Sequence, residues 1–179
     1  YKELHRAIAD YNGVDPANVV IGLGADDLIL LCARAFAGPG DSIGIEPART
    51  YPVYRIAAQL AGAEVGGDAP VLTFTCRPTS PLGELPELPV ARPLVVDEAY
   101  YEYCGETAVP LIEGGDVIVL RTFSKAFALA GARVGYALCS PELALELYAR
   151  QAPAPVTSLS ATLAVASLAS PPDVRPVVE

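Results

Sequence analysis

Short apolar runs alternate with amphipathic segments along most of this chain. Runs such as Val19–Ile21, Leu94–Val96 and Val117–Leu120 have the length of buried strands. Residues 1–12 and 28–36 repeat apolar positions at helical spacing instead. Strands that alternate with helices are typical of a parallel sheet covered on both faces. The pattern therefore predicts an α/β fold, a three-layer α/β/α sandwich around a mainly parallel sheet.

The remaining segments extend this alternation. Three prolines between residues 86 and 93 argue against a helix there, because proline lacks the backbone N–H that a helix interior needs. Ser140, Pro141 and Glu142 form a typical helix start: an N-cap, a proline and an acidic first turn. Further strands are predicted at 42–45, 63–65, 71–75 and 134–138, and further helices ending at residue 60 and spanning 141–150 and 158–168.

Composition narrows the class of protein. The 179 residues are 52% hydrophobic and 18% charged, which is enough for one domain with a sizeable core. A net charge of −9 argues against nucleic acid and anionic membranes as partners. No apolar run reaches the roughly 18 residues that span a bilayer. These features favour a globular, core-rich protein rather than a disordered one.

The cysteines and the histidine offer little material for a metal site. Cys32, Cys76, Cys104 and Cys139 are scattered, with no C-x-x-C pair, and His5 is the single histidine. Scattered thiols in a core-rich chain are typical of reduced, buried residues. His5 is expected on a helix surface without a catalytic role. The sequence therefore predicts a cytoplasmic protein without a metal.

The segment from Arg121 to Tyr136 carries the most distinctive chemistry. It places Lys125 just after an apolar run, with Ser124 before it and Arg133 eight residues later. A lysine in apolar surroundings has its charged form disfavoured, so its neutral amine becomes a usable nucleophile. A hydroxyl and a guanidinium are suited to holding a phosphate. A solvated surface loop remains the alternative, and the spacing alone does not decide between the two.

Two further motifs lie where predicted strands end. Gly22–Leu28 contains a Gly-x-Gly turn that leads into a helix, and such a turn presents free N–H groups to an anion. Any tight turn uses glycine, so this signal is weak by itself. Asp97 follows the run 94–96, and open α/β sheets bind ligands at the carboxyl ends of their strands. The alternative for Asp97 is an ordinary helix N-cap.

The segment Thr122–Tyr136 resembles the cofactor-lysine segment of the fold-type-I pyridoxal-phosphate (PLP) aminotransferases. Within that family it is most similar to the histidinol-phosphate aminotransferases. The resemblance implies that Lys125 holds the cofactor covalently and that Ser124 and Arg133 contact its phosphate. It also implies that the turn at Gly24, Ala25 and Asp26 holds the same phosphate through backbone amides.

The resemblance assigns the cofactor ring to residues outside the lysine segment. It implies that Tyr51 stacks on the pyridine ring, although packing at the start of a helix is the alternative. Asp97 would face the pyridine nitrogen and keep it protonated, and Tyr100 would contact the phenolic oxygen. Ser80 stands where the family has an asparagine, and the shorter side chain would either miss that oxygen or reach it through a water.

The implied activity is PLP-dependent transamination, with histidinol phosphate, an amino-acid-like phosphate, and 2-oxoglutarate as substrates, in a homodimer. Full family members add an N-terminal arm and a small C-terminal domain, and neither has a counterpart in this sequence. We therefore expect a PLP-binding large domain over 1–179, with a core at 1–150 and a linker toward a small domain at 151–179.

Three alternatives to this activity remain open. The first is another PLP reaction, such as aromatic amino-acid transamination or decarboxylation of a phosphorylated amino acid. The second is a domain that binds PLP, or only folds and dimerises, without turnover. The third is a phosphate-binding domain that is unrelated to PLP.

Overall fold

The computed structural model describes residues 1–48 and 50–174, and a mixed β-sheet runs through their centre. The strand residues are buried along nearly the whole sheet, as expected where both faces are covered. Within the described residues the sheet has seven strands: β1 (Val19–Gly22), β2 (Ser42–Glu46), β3 (Glu64–Val65), β4 (Leu72–Cys76), β5 (Leu94–Asp97), β6 (Val117–Thr122) and β7 (Gly135–Leu138).

The order of the strands brings several strand ends to one edge. The sheet has the order β1-β7-β6-β5-β4-β2-β3, in which β2 to β6 run parallel and β7 is antiparallel to both of its neighbours. Strand β1 pairs with β7 and therefore points the same way as β6. The carboxyl ends of β1, β4, β5 and β6 consequently meet along one edge, where Cys76 pairs with Asp97 and Thr122 with Gly135.

Helices cover both faces of this sheet. One core cluster joins Leu28, Tyr54 and Leu147 to the sheet, and the other joins Leu4 and Ala164 to the opposite face. Alternate residues of each central strand enter different clusters, as the two-residue period of a strand requires. The described helices are α1 (Lys2–Asn12), α2 (Ala25–Phe36), α3 (Val53–Ala61), α4 (Tyr101–Cys104), α5 (Pro141–Tyr148) and α6 (Ser158–Leu168).

Local sequence signals explain where the helices begin and end. The Ser140 side chain accepts a hydrogen bond from the Leu143 N–H, which caps α5, and Thr157 caps α6 through the Ser160 N–H. Helix α1 ends at Gly13, whose φ of 67° lies in the left-handed region that favours glycine. These ends agree with the predicted helices.

The α/β/α architecture with a mainly parallel sheet is confirmed. The short helix α4 and the 3-10 turns at Val109–Gly114 and Ala130–Ala132 were not predicted. No described residue between 84 and 90 is helical, as the prolines indicated. Among the described helices, none is long and apolar enough to cross a bilayer. Residues 175–179 of the predicted linker lie outside the described residues.

Candidate functional site

A cavity of about 200 Å³ opens at the edge where the parallel strands end. The structure brings together along its wall nine of the ten residues that the sequence singled out. They come from the start of α2, the loop before α3, the ends of β4 and β5, and the turn after β6: Ala25, Asp26, Tyr51, Ser80, Asp97, Tyr100, Ser124, Lys125 and Arg133.

The tenth residue, Gly24, lies directly behind the cavity wall. It precedes α2 with a φ of 92°, a conformation that L side chains rarely adopt. A Cβ at Gly24 would lie 2.8 Å from Nη2 of Arg133. A Cβ at Gly135 would lie only 2.7 Å from the Gly24 backbone. Glycine at both positions therefore allows β7, the turn and the guanidinium to meet.

The first turn of α2 presents unpaired backbone donors to the cavity. No side chain caps α2, and the first N–H groups of any helix lack an acceptor inside that helix. The Asp26 carboxylate is engaged by another residue of the cavity, because its Oδ1 accepts a hydrogen bond from the Tyr51 hydroxyl at 3.0 Å. Burial and this carboxylate together raise the pKa of Tyr51 to about 12. The turn is therefore open to an anion, and Tyr51 remains a neutral phenol.

The segment that follows β6 carries the cationic groups of the site. The Ser124 hydroxyl accepts a hydrogen bond from Thr122 at 3.0 Å and lies 3.5 Å from Nη1 of Arg133. Nη2 of Arg133 donates to the Leu23 carbonyl at 3.0 Å, which holds the guanidinium beside the Gly24 turn. Arg133 itself adopts a φ of 50°, and a non-glycine residue in this region is typical of constrained functional loops.

The expectation of apolar surroundings for Lys125 is wrong. Lys125 is exposed, because it lies in a turn three residues beyond the end of β6, at the mouth of the cavity. Its Nζ lies 5.2 Å from the centre of the Tyr100 ring, and it lines the same cavity as Asp97. The amine is therefore accessible from solvent and still faces the predicted partners.

Asp97 lies at the closed end of the cavity and is only 3% exposed. Its Oδ1 accepts from the Ala99 N–H at 3.0 Å, and its Oδ2 accepts from the Tyr54 hydroxyl at 2.6 Å. Burial raises the pKa of Asp97 to about 6, although these two hydrogen bonds act in the opposite direction. Asp97 does not cap α4, whose N-cap is Tyr100. The alternative of an ordinary N-cap is therefore excluded.

Sequence reasoning missed Tyr54. Its ring is fully buried, stacks on Phe74 with centroids 5.2 Å apart, and meets Tyr51 edge-on at 5.9 Å. On the apolar face of α3 a tyrosine looks like ordinary core, and its hydrogen-bond partner lies 43 residues away. The hydroxyl of a tyrosine among apolar helix positions was the one available signal, because a buried hydroxyl needs a partner.

A buried ion pair beneath the site was also missed. Arg121 donates through Nε and Nη2 to Oε2 of Glu98 at 3.0 and 2.8 Å. The Thr107 hydroxyl and the Ala108 N–H also donate to Glu98. The guanidinium lies 3.3 Å above the centre of the Tyr101 ring. These contacts join the ends of β5 and β6, the two strands that lead into Asp97 and the lysine segment.

Four further residues line the cavity without having been predicted. Their backbone positions could have been anticipated in part, because two of them end strands that meet at this edge. Cys76 ends β4 and Thr122 ends β6, and the remaining two are Ala99 and Ala130. Among the described residues no group of His, Cys, Asp and Glu is arranged to hold a metal ion. The site is therefore one of an amine, carboxylate, hydroxyls and a guanidinium.

An α/β sheet that gathers these groups at the carboxyl ends of its strands is the architecture of a cofactor-dependent transferase domain. The pattern of the family described as "Aminotransferase class I and II" matches residues 1–66 and 74–179. The chain belongs to this aminotransferase family.

Two relatives and one solved structure that the chain resembles carry the name histidinol-phosphate aminotransferase. The chain is 35% identical to a histidinol-phosphate aminotransferase of Caldanaerobacter subterraneus subsp. tengcongensis, over 94% of this chain and 56% of that protein. It is 39% identical to one of Gloeobacter violaceus, over 92% and 55% of the two chains. A histidinol-phosphate aminotransferase from Sinorhizobium meliloti in complex with pyridoxal-5′-phosphate superimposes with a TM-score of 0.82 at 27% identity, over 94% and 55%. The chain thus spans just over half the length of these relatives.

The family is PLP-dependent, and the chemistry of the cavity fits this cofactor. PLP needs an amine for its aldehyde, a carboxylate for its ring nitrogen and donors for its phosphate. The cavity contains an amine at Lys125, a carboxylate at Asp97, and hydrogen-bond donors at Ser124, Arg133 and the turn at Gly24. The fit rests on these chemical groups and on Gly24, where a Cβ would crowd the Arg133 guanidinium.

Proposed function

We propose that this chain is the cofactor-binding large domain of a PLP-dependent aminotransferase that acts on histidinol phosphate and 2-oxoglutarate. The observation that carries the proposal is the convergence of Lys125, Asp97 and Arg133 on one cavity at the carboxyl edge of the sheet. The two relatives described above carry the name of that enzyme, which supports the choice of substrates. The family makes homodimerisation the expected assembly.

The open end of the cavity is proposed to bind the cofactor phosphate. Ser124 Oγ and the Arg133 guanidinium would donate to phosphate oxygens, as charge-assisted hydrogen bonds are strongest with such partners. The backbone N–H groups of Ala25 and Asp26 would add the positive end of the α2 dipole. Gly24 serves this end by its conformation rather than by a side chain.

The closed end of the cavity is proposed to hold the ring. Tyr51 would pack its ring against the face of the cofactor, and Asp97 would hold a positive charge at the ring nitrogen. The Tyr100 hydroxyl would donate to the phenolic oxygen, and Ser80 would approach the same oxygen from the neighbouring loop. A buried carboxylate is suited to this role because low dielectric strengthens its attraction for a cation.

Lys125 is proposed to carry the chemistry. When bound, PLP supplies an aldehyde that condenses with amines and a ring that accepts the electron pair released at the substrate carbon. Lys125 Nζ would bind that aldehyde covalently and would be released when the substrate amine replaces it. The free amine would then act as a general base at the substrate Cα. Its accessible position at the cavity mouth suits both tasks.

The domain boundaries and compartment belong to the same proposal. Residues 1–150 would form the core of the large domain, and residues 151–179 would lead toward a small domain. All four cysteines are free, and Cys32, Cys76 and Cys139 are buried. Free buried thiols support a reducing compartment, and we therefore propose the cytoplasm.

Borohydride trapping tests the role of Lys125. The chain is incubated with PLP, reduced with borohydride, digested and examined by mass spectrometry. We expect a phosphopyridoxyl adduct on Lys125 and none in Lys125→Ala. Lys2, the other lysine of the sequence, provides the matched control, because Lys2→Ala should be labelled as well as the parent. Equal labelling of both lysines, or none, would refute the assignment.

A single-turnover measurement tests the reaction. The PLP-loaded chain is mixed with histidinol phosphate, and the amount of aminated cofactor is followed by its absorbance. Conversion that is reversed by 2-oxoglutarate supports the proposed transamination. Uptake of PLP without conversion by any amino donor would instead favour a binding domain without turnover. Faster conversion of an aromatic amino acid, or release of CO₂, would favour another reaction on the same cofactor.

A further inference from the structure

The hydrogen bond between Tyr54 and Asp97 is held in a defined geometry by the packing around the Tyr54 ring. Tyr54 is fully buried, and its ring orientation is fixed by stacking on Phe74 with an interplanar angle of 9°. In this orientation its hydroxyl points to Oδ2 of Asp97 at 2.6 Å. The helix α3 therefore delivers a hydrogen-bond donor to the closed end of the cavity from behind.

Asp97 receives support from two directions. The Ala99 N–H holds Oδ1 and the Tyr54 hydroxyl holds Oδ2, so neither oxygen can rotate away without losing a bond. Each carboxylate oxygen has two acceptor sites, which leaves capacity on the side that faces the cavity. A carboxylate held in this way needs no reorganisation when a cation arrives, which is the condition for electrostatic preorganisation.

The surrounding groups make this support necessary. Burial and the nearby carboxylates of Asp26 and Glu98 favour the protonated form of Asp97 and raise its pKa to about 6. The hydrogen bonds from Tyr54 and Ala99 oppose them. Burial, followed by the charge of Asp97, raises the pKa of Tyr54, so the shared proton stays on the phenol. The titratable groups that act on Asp97 include Tyr54 from α3, Asp26 from α2, Cys76 from β4, Glu98 next to it, and Tyr51 from the loop before α3. Tyr100, Lys125 and Arg133 line the same cavity.

We propose that Tyr54 is a positioning residue that keeps Asp97 ionised and directed at the ring nitrogen of the cofactor. This inference rests on the proposed function, because it assigns Asp97 a cation to hold. Without the hydroxyl, Asp97 would retain only the Ala99 N–H and would take up a proton at higher pH. A protonated Asp97 could no longer stabilise a positive charge at the ring nitrogen.

The first test uses the chain without cofactor. The Asp97 carboxyl carbon is followed by ¹³C NMR against pH, with Asp97→Asn identifying its signal, in the parent and in Tyr54→Phe. A hydrogen bond to a charged group is worth about tenfold or more in an equilibrium, so we expect the midpoint to rise by about one pH unit or more. Tyr136→Phe is the matched control, because Tyr136 is also buried but lies in the core cluster on the opposite face. An unchanged midpoint in Tyr54→Phe, or an equal rise in Tyr136→Phe, would overturn the proposal.

A second measurement needs no variant and holds even if Tyr54→Phe folds poorly. In the parent chain the Tyr54 hydroxyl proton should be protected from exchange and should shift with pH at the same midpoint as Asp97. A hydroxyl resonance that ignores the Asp97 titration would contradict the proposed contact.

The third measurement separates this inference from the proposed function. With ¹⁵N-labelled PLP bound, the ring nitrogen should be protonated in the parent at pH 7.5, and the ratio of protonated to unprotonated ring nitrogen should be about tenfold lower in Tyr54→Phe. A ring nitrogen that is equally protonated in both proteins would refute the role of Tyr54 toward the cofactor. A parent chain that takes up no PLP would refute the proposed function, whereas the cofactor-free titration would still decide whether Tyr54 controls Asp97.

Discussion

The two ends of the cavity are built in different ways. At the closed end, Asp97 is 3% exposed and both of its oxygens are already hydrogen-bonded by the protein. At the open end, Arg133 and Lys125 are exposed, and the guanidinium shares its donors among backbone carbonyls and Ser124. The closed end is thus set by folding, and the open end keeps donors that a ligand can recruit. Mutations at the closed end should therefore change the stability of the fold and the proton affinity of Asp97. Mutations at the open end should change the affinity for the ligand.

The largest effect is expected beneath the closed end. Glu98→Ala would leave the buried Arg121 guanidinium without its carboxylate, and breaking a buried pair costs about 3–5 kcal/mol. Urea unfolding followed by circular dichroism measures this loss. Glu146→Ala removes an exposed partner of Arg150 and should cost at most about 0.5 kcal/mol. Similar losses in both variants would mean that the buried Glu98–Arg121 pair stabilises the fold no more than an exposed ion pair does.

The next largest effect is the change of the free energy of unfolding with pH that Asp97 causes. Because the folded chain holds a proton on Asp97 up to a pKa of about 6, whereas an unfolded aspartate has its pKa near 3.9, ionisation of Asp97 opposes folding. Its contribution to the free energy of unfolding should therefore be highest below about pH 4 and should fall as the pH rises to about 6. The total change is about 3 kcal/mol, since each pH unit between the two values is worth about 1.4 kcal/mol.

Asp97→Asn isolates that contribution. The difference in unfolding free energy between parent and variant, measured in the absence of cofactor from pH 4 to pH 7, should shift in favour of the variant as the pH rises. The exposed Asp68 provides the comparison, and Asp68→Asn should show no such shift. A pH-independent difference for Asp97→Asn would mean that Asp97 stays ionised throughout this range.

The smallest effect on the fold, and a clear effect on binding, is expected at the open end. Arg133→Gln should weaken PLP binding by about 10- to 100-fold, because a hydrogen bond to a charged group is lost. Added salt should weaken PLP binding in the parent more than in this variant, since the guanidinium is exposed and screened. Fluorescence titration with PLP measures both, and the exposed Arg34 gives the control Arg34→Gln. Unchanged PLP affinity in Arg133→Gln would contradict the proposal that the cofactor phosphate binds at the open end.

The sequence predicted the parts of the site that follow from strand ends. Buried runs followed by polar residues indicated that Asp97 and Lys125 lie near the ends of strands. The parallel arrangement brings such strand ends to one edge of the sheet. Strand order is a different matter, because the hydrophobic pattern does not determine which strands are neighbours. Glu98 and Arg121, 23 residues apart, could not be paired without that order.

The exposure of individual side chains was the other feature that could not be predicted from the sequence. Lys125 follows an apolar run, but its environment depends on the turn that carries it out of the sheet. Tyr54 was not singled out from the sequence, because nothing in the pattern of its own helix reveals the carboxylate that its hydroxyl contacts. Both cases depend on contacts between elements rather than on the pattern within one.

The contact between Gly24 and Gly135 has a consequence for chain length. Arg133 lies only two residues before Gly135, and Gly135 packs directly on the backbone of Gly24. Because Arg133 is so close to Gly135 along the chain, the packing of β7 against Gly24 also places the guanidinium beside the turn. One inserted residue between positions 133 and 135 would displace that cation as effectively as replacing it, so the spacing of this short connection belongs to the site as much as the arginine does.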